Sequence, residues 1–132
     1  MSYTTVNKSS TAFNGVAYTG TGAENAITGV GFQPDFIWLK KRNQSGHHFL
    51  QDVVRGATYQ IKTSSTDAQT NYSQYVKSIQ SDGFTLGTDS DVNASGATAI
   101  SWNWKMGGAA STNTNGTISA QVSANTTAGM SI

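Results

Sequence analysis

The stretch DFIWLKKR, Asp35–Arg42, decides the fold class because it carries the strongest strand pattern in the chain. In a β-strand, successive side chains point to opposite faces of the sheet. Alternate residues therefore share a face: Phe36, Trp38 and Lys40 on one side, and Ile37, Leu39 and Lys41 on the other. Both faces begin apolar, which predicts that the first half of the strand is buried on both sides. Pro34 precedes the strand, where its missing amide interrupts no ladder.

On either side of this stretch, runs of β-branched and aromatic residues predict further strands between turn-rich segments. The predicted strands cover Ala12–Tyr18, Ala26–Val30, Phe49–Val54, Ala57–Ser65, a hairpin within Asn71–Gly87, and Ala97–Met106. Asp82-Gly83 in that hairpin is a type I′ turn signal. The segment Gly87–Gly96 is predicted as a loop, and no helical periodicity stands out. The sequence thus predicts an all-β protein, an antiparallel β-sandwich or jelly roll.

The strand predicted at Ala97–Met106 has one face made of large apolar side chains and one that is polar. Ile100, Trp102 and Trp104 share the apolar face. Ser101, Asn103 and Lys105 share the other. The apolar face is either core or a binding surface, and the sequence leaves both open. For the second alternative, Trp102 and Trp104 are candidate ligand-binding residues, because sugars stack on aromatic rings beside polar groups such as Asn103.

The composition agrees with a strand-rich fold and excludes several function classes. Thr (18), Ser (16), Gly (14) and Asn (10) make up close to half of the chain, and only 11% is charged. Ser, Thr and Asn compete with helical hydrogen bonding, whereas Thr and aromatic residues suit a pleated sheet. A net charge of +1 offers no strong field for nucleic acid or anionic lipid, so neither a nucleic acid nor a membrane is the expected partner. Without cysteine there is no disulfide or thiolate chemistry.

The segment HHFLQDVVRG, His47–Gly56, gathers both histidines with an aspartate and an arginine. On a strand, His47 and His48 point to opposite faces, so they do not chelate one ion. His48 and Asp52 share a face but are about 13 Å apart at the usual rise per residue. Two interpretations stay open. In the first, Asp52 ties down a turn and Arg55 holds the strand end. In the second, His48 and Arg55 belong to a ligand site.

Catalytic and metal motifs are weak. Glycosidases usually pair two carboxylates, but Glu24 is the single glutamate, and the chain has no G-x-S-x-G, P-loop or G-x-G-x-x-G motif. Asp89, Asp91 and Asn93 resemble the start of a calcium loop. However, Ala94 stands where an EF-hand needs glycine, and Ile100 stands where it needs glutamate. The sequence predicts no enzyme, no cofactor and no metal, with a calcium ion near Asp89 and Asp91 as the open alternative.

The chain divides into three parts by composition. Residues 1–11 are predicted to be a polar N-terminal arm, and residues 12–106 the β-sandwich domain. Residues 107–132 are small, neutral and of low complexity, which predicts a linker with one weak strand at Thr117–Val122. A new alternation of apolar and polar residues starts just before Ile132, so we expect a further module to follow.

Several motifs together resemble a module repeated in tail-fibre and other appendage proteins of bacteriophages, particularly marine and cyanobacterial phages. They are YTGTG (18–22), ITGVGFQPDFIWLKKRN (27–43), HHFLQDVVRG (47–56), SDGFTLG (81–87), VNASG (92–96) and ISWNWKMGG (100–108), and the tail TNTNGTISAQVSANTTAGMSI (112–132) also matches. The resemblance spans residues 13–132. It implies a concanavalin-A-like jelly roll, but no agreed functional residues come with it.

The resemblance also implies a function and a location. We expect a non-enzymatic structural protein of the virion, in the tail or an appendage, that forms a homo-oligomer and contacts other virion proteins. Because fibres are usually trimeric, we expect the oligomer to be a trimer. One alternative is a carbohydrate-binding module that recognises a host surface glycan. Another is a capsid decoration or cement protein. The candidate ligand residues are His48, Arg55, Trp102 and Trp104.

Overall fold

The structure, a computed structural model, describes residues 8–132, which form short strands joined by turns, a 3-10 turn at Ser9–Thr11 and one helix, α1 (Ser90–Asn93). The strands are β1 (Phe13–Thr19), β2 (Asn25–Ile27), β3 (Phe36–Lys41), β4 (Phe49–Asp52), β5 (Tyr59–Lys62), β6 (Thr70–Asn71), β7 (Val76–Gln80), β8 (Gly83–Leu86), β9 (Thr98–Trp104), β10 (Ser111–Asn113), β11 (Ala120–Val122), β12 (Ala124–Asn125) and β13 (Met130–Ser131). The predicted arm at residues 1–11 lies largely outside the described residues.

Two antiparallel sheets form the body of the protein. The larger has six strands in the spatial order β1-β9-β3-β4-β5-β6, and the smaller has three in the order β2-β8-β7. The prediction of an all-β, antiparallel fold of the β-sandwich type is confirmed, and each strand predicted between Ala12 and Met106 has a counterpart. The more specific jelly-roll connectivity stays a prediction.

The hydrophobic core lies between the inner faces of the two sheets. It contains Ile27, Ile37, Leu39, Phe49, Tyr75, Val76, Phe84, Leu86 and Val92. Ile37 and Leu39 come from β3, the stretch that decides the fold class, and both are fully buried. Burying side chains of this size contributes about 1.5–3 kcal/mol each, which makes β3 a main source of stability.

The hairpin of β7 and β8 is as predicted, but its turn is not. Gln80 pairs with Gly83, so the two loop residues are Ser81 and Asp82. A type I′ turn needs positive φ at both central residues, and within residues 8–132 only glycines have positive φ. Gly83 is required for a different reason, because a Cβ there would collide with the carbonyl oxygen of Ile27. The prediction of a type I′ turn at Asp82-Gly83 is therefore wrong.

Two segments predicted as irregular contain regular structure. The predicted loop at Gly87–Gly96 includes α1, whose N-cap is the side chain of Asp89. The weak strand predicted at Thr117–Val122 is present as β11 (Ala120–Val122), but the tail contains more structure than predicted and forms two small hairpins, β10-β11 and β12-β13. Ser123 lies between these hairpins and is fully buried; its hydroxyl donates to Gly108 O at 2.8 Å and accepts from Gly107 N at 3.0 Å. These long-range bonds, which composition does not reveal, fix the tail against the end of β9.

Candidate functional site

The outer side of the six-stranded sheet, which faces away from the core, carries all three tryptophans and half of the twelve aromatic side chains within residues 8–132. Strand pairing aligns them in rows: Phe13 pairs with Trp104 and Trp104 with Phe36, while Trp102 pairs with Trp38 and Trp38 with Leu50. We call this surface the aromatic face and define it as Phe13, Phe36, Trp38, Leu50, Tyr59, Ile61, Ile100, Trp102 and Trp104. It spans β1, β9, β3, β4 and β5.

Ring contacts hold the aromatic face together. The centroids of Trp104 and Phe13 are 5.0 Å apart, and those of Trp104 and Phe36 are 5.1 Å apart. In the next row, the rings of Trp38 and Trp102 are 5.4 Å apart and tilted at 51°. These spacings fall in the range of favourable aromatic pairs, each of which adds about 0.5–1.5 kcal/mol beyond simple burial. The arrangement is therefore a preformed surface.

The aromatic face stays substantially exposed at its two ends. Phe13 on the edge strand β1 is 36% exposed, and Tyr59 and Ile61 on β5 are each 37% exposed. Trp38, Trp102 and Trp104 between them are half-buried. Accessible apolar side chains therefore extend across five strands of the sheet, from β1 to β5.

The structure excludes the core alternative for the apolar face of β9, because this face lies on the outer side of the sheet. A ligand-binding role for Trp102 and Trp104 stays a prediction. Ser101 and Asn103 are fully buried against the core, while Trp102 and Trp104 lie on the outer side. The same holds for β3, where Phe36 and Trp38 are only half-buried, so the expectation of burial on both sides is wrong for them. Asn103 cannot assist a ligand on the aromatic face because it lies on the opposite side of the sheet.

The buried polar side chains of β9 donate hydrogen bonds to neighbouring strand β1, although Asn103 Oδ1 has no partner among the described residues. Asn103 Nδ2 donates to Asn14 O and to Ser101 Oγ, both at 3.0 Å. Ser101 Oγ donates to Val16 O at 3.3 Å. A buried polar group that keeps a partner avoids most of its desolvation cost. The inner face of β9 is therefore occupied by hydrogen-bonded Ser101 and Asn103, and the tryptophans lie on the outer face.

The segment His47–Gly56 forms β4 and the turn after it. Asp52 is 1% exposed, accepts from the backbone amide of Arg55 at 2.8 Å and forms an ion pair with the Arg55 guanidinium. Asp52 thus ties down the turn and Arg55 holds the strand end, as the first interpretation predicts. His48 lies beside Trp38, with ring centroids 6.3 Å apart, and His47 is within 3.1 Å of Ser64 Oγ. A role for His48 and Arg55 in ligand binding stays a prediction.

The carboxylates of the calcium-loop alternative are committed to other contacts. Asp89 accepts from the amide of Asp91 at 2.7 Å as the cap of α1, and Tyr72 donates to its other oxygen at 3.2 Å. Asp91 accepts from the Tyr75 hydroxyl at 3.3 Å. Burial, together with the nearby carboxylates, raises the pKa of Tyr75 far above its usual value. Over residues 8–132, no three His, Asp or Glu side chains gather as a metal site would require.

Phe13, Leu50 and Ile61 belong to the aromatic face but were not among the candidate ligand-binding residues predicted from the sequence. Each is isolated in the sequence, and only the pairing of β1 with β9 and of β4 with β5 brings them next to the tryptophans. The alternation of Tyr59 and Ile61 was the available signal for β5, because alternate residues of a strand point to the same face of the sheet.

Comparison with family models matches residues 8–132 to the family described as Domain of unknown function (DUF7483). The match includes both the sheets and the tail hairpins. No curated protein and no solved structure matches the chain. The helical segments within residues 8–132 are too short and polar to cross a bilayer.

Proposed function

Because this chain belongs to the DUF7483 family, whose function is unknown, we propose its function from its own surface. It is a non-enzymatic structural module of a phage tail fibre or appendage, a concanavalin-A-like jelly roll that assembles as a homo-oligomer. The oligomer is a trimer, as fibres usually are. The observation that carries this proposal is the aromatic face. The motif resemblance supplies the phage context.

Self-association through the aromatic face follows from its chemistry. Interface cores are enriched in Trp, Tyr and Phe and depleted of charged residues. The rows of Trp104 and Trp102 contain no charged side chain between Phe13 and Phe36 or between Gly15 and Leu50. With a net charge of +1, copies of the chain repel one another little. A second copy of the chain presents the same aromatic side chains, and most soluble oligomers are closed, symmetric assemblies of identical chains.

A pair of matched substitutions tests the proposal. Ile61→Ser places a hydroxyl at the exposed end of the aromatic face, where the side chain is 37% exposed. Ile118→Ser makes the same change outside that face, at a residue that is 82% exposed. In sedimentation velocity, we expect Ile61→Ser to weaken association and Ile118→Ser to leave it unchanged. Equal behaviour of the two variants, with the wild type associated, would assign the interface to another surface.

A host glycan is the second candidate partner of the aromatic face, favoured by the outward position of Trp102 and Trp104. Sugar rings stack on such indoles, and His48 and Lys40 lie on the same side of the sheet to supply polar contacts. Binding to an array of host surface polysaccharides, lost on Trp102→Ala, would favour this function. If the chain binds no polysaccharide on the array, the glycan-binding function is excluded.

A further inference from the structure

A polar pocket lies at the end of β9, away from the aromatic face, where the tail folds back on the domain. Its cavity volume is about 430 Å³, within the usual range for small-molecule sites. It is lined by Gln33 and Asp35, by Lys105–Gly108 and by the turn at Ala124–Thr127. The pocket exists only because the low-complexity tail is structured.

The walls of this pocket are fixed by backbone contacts. Asn125 Nδ2 donates to Lys105 O at 3.0 Å, and Asn125 Oδ1 accepts from Ala128 N at 2.9 Å. Gly107 approaches the Ala124 backbone so closely that a Cβ there would collide with it. Together with the buried hydroxyl of Ser123, these contacts hold the turn at a set distance from Lys105–Gly108. A preformed pocket loses less entropy on binding a ligand.

Asp35 is the most constrained polar residue of the pocket. It is 3% exposed, its amide donates to Trp104 O at 2.9 Å, and its carbonyl accepts from Val53 N at 2.9 Å. Its Oδ2 accepts from Gly108 N at 3.1 Å. Among the described residues, Oδ1 has no hydrogen-bond partner. One oxygen of a nearly buried carboxylate is therefore held in place with capacity to accept hydrogen bonds from a ligand.

Besides the apolar Met106 and Ala124 and two glycines, the pocket is lined by polar side chains and one lysine. Thr126 and Thr127 carry hydroxyls, Gln33 and Asn125 carry amides, and Lys105 carries an ammonium group opposite in charge to Asp35. Such a mixture provides both donors and acceptors for several neutral hydroxyl groups. The charges of the one carboxylate and the one ammonium group cancel, so the pocket offers no net charge to neutralise a strongly charged ligand. This chemistry matches a saccharide.

We propose that this pocket, built by Asp35, Lys105 and the Ala124–Thr127 turn, binds a neutral saccharide through its hydroxyl groups. The Asp35 carboxylate accepts hydrogen bonds from the hydroxyl groups of the ligand, and the amide and ammonium groups donate hydrogen bonds to its hydroxyl oxygens. The site is separate from the aromatic face and does not depend on the oligomer proposed above. It gives the module a second surface at which to hold a glycan.

The test is titration of the ¹⁵N-labelled chain with glucose, galactose, N-acetylglucosamine, lactose and cellobiose, following the amide resonances of Gly107 and Gly108. We expect at least one saccharide to shift both amides saturably. Asp35→Asn keeps an oxygen to accept from Gly108 N but replaces the second acceptor by an NH₂ group. It should lower affinity about tenfold or more, which corresponds to about 1.4 kcal/mol.

Asp67→Asn is the matched control, because Asp67 is exposed and pairs with Lys62 on β5. It should leave saccharide affinity unchanged, and the unfolding midpoint of Asp35→Asn verifies that it is folded. Absence of shifts with all five saccharides, or equal affinity for Asp35→Asn and the wild type, would overturn the proposal. Calcium chloride alone is the cation probe. Shifts with calcium and none with saccharides would also overturn it.

Discussion

Asn93 and Thr21 are joined by a hydrogen bond from the Thr21 amide to Asn93 Oδ1 at 2.9 Å, although they lie 72 positions apart in the chain. The Asn93 side chain is fully buried and uses both ends of its amide. Its Nδ2 donates to Ala23 O and Gly87 O, and its Oδ1 also accepts from Asn25 Nδ2. One side chain thereby ties together α1, the loop before β2 and the end of β8.

Asn93→Leu should destabilise the fold strongly. The substitution conserves most of the volume but leaves Gly87 O without its partner in a buried site, and Thr21 N and Ala23 O without theirs in partly buried ones. Each such group costs about 1–3 kcal/mol, so we expect the free energy of unfolding to fall by about 3 kcal/mol or more. Urea unfolding measures this fall in the free energy of unfolding, with Asn115→Leu at an exposed position as the control. A loss similar to that of Asn115→Leu would show that Asn93 is not a structural hub.

Gln51→Met should have the opposite effect. Gln51 is fully buried on the inner face of β4, and neither atom of its amide has a hydrogen-bond partner among the described residues. Methionine fills a similar volume without polar atoms to desolvate, so the free energy of unfolding should rise by about 1 kcal/mol. Urea unfolding checks this, with the exposed Gln44→Met as control. A clear destabilisation specific to Gln51→Met would mean that the amide is stabilised by contacts other than those described.

The strands could be predicted because their alternation of side chains is local. Asp35–Arg42, Ala97–Met106 and the Asn71–Gly87 hairpin all follow from neighbouring residues alone. The choice of core face could not be predicted. Hydrophobicity favours burial of the Trp102 side of β9. Asn103 is buried instead, because its Nδ2 donates to Asn14 O on β1, 89 positions away. Polar burial is decided by such partners, and no local pattern reveals them.

The candidate site was only partly predictable for the same reason. Trp102 and Trp104 were identified as an alternative to core, but Phe13 and Ile61 join them only through strand pairing. Asp52 and Arg55 form a local turn, so one of the two sequence interpretations already described their contact. The pocket at Asp35 depends on Ser123 and Asn125, which belong to a segment whose composition predicts a linker.

The stability that ionised Asp82 contributes at neutral pH should be lost at acid pH. Its carboxylate accepts from the amides of Gly31 and Gly29, and these bonds hold its pKa below the ordinary value. Because the folded-state pKa is lowered, the stabilisation is present above the unfolded value of about 3.9 and is lost as the pH falls through the folded value. Asp82→Asn should therefore unfold at a lower temperature than the wild type at neutral pH, and the gap should narrow in acid.

Thermal unfolding of Asp82→Asn and the wild type between about pH 7 and about pH 2 measures this gap. The exposed Asp67 has a lowered pKa of its own, chiefly because it accepts from Lys62, and it keeps that contribution in both proteins. A gap that is constant across this pH range would contradict a role for ionised Asp82 in holding the Gly29–Gly31 loop.

The mass of the chain in solution tests most directly whether the aromatic face is an interface between copies. Sedimentation equilibrium over a range of concentrations gives this mass without any substitution. We predict reversible association toward three times the chain mass of 13.9 kDa, with the tryptophan emission shifting to shorter wavelength as Trp102 and Trp104 become covered. A mass of 13.9 kDa at every concentration, with unchanged emission, would contradict the account.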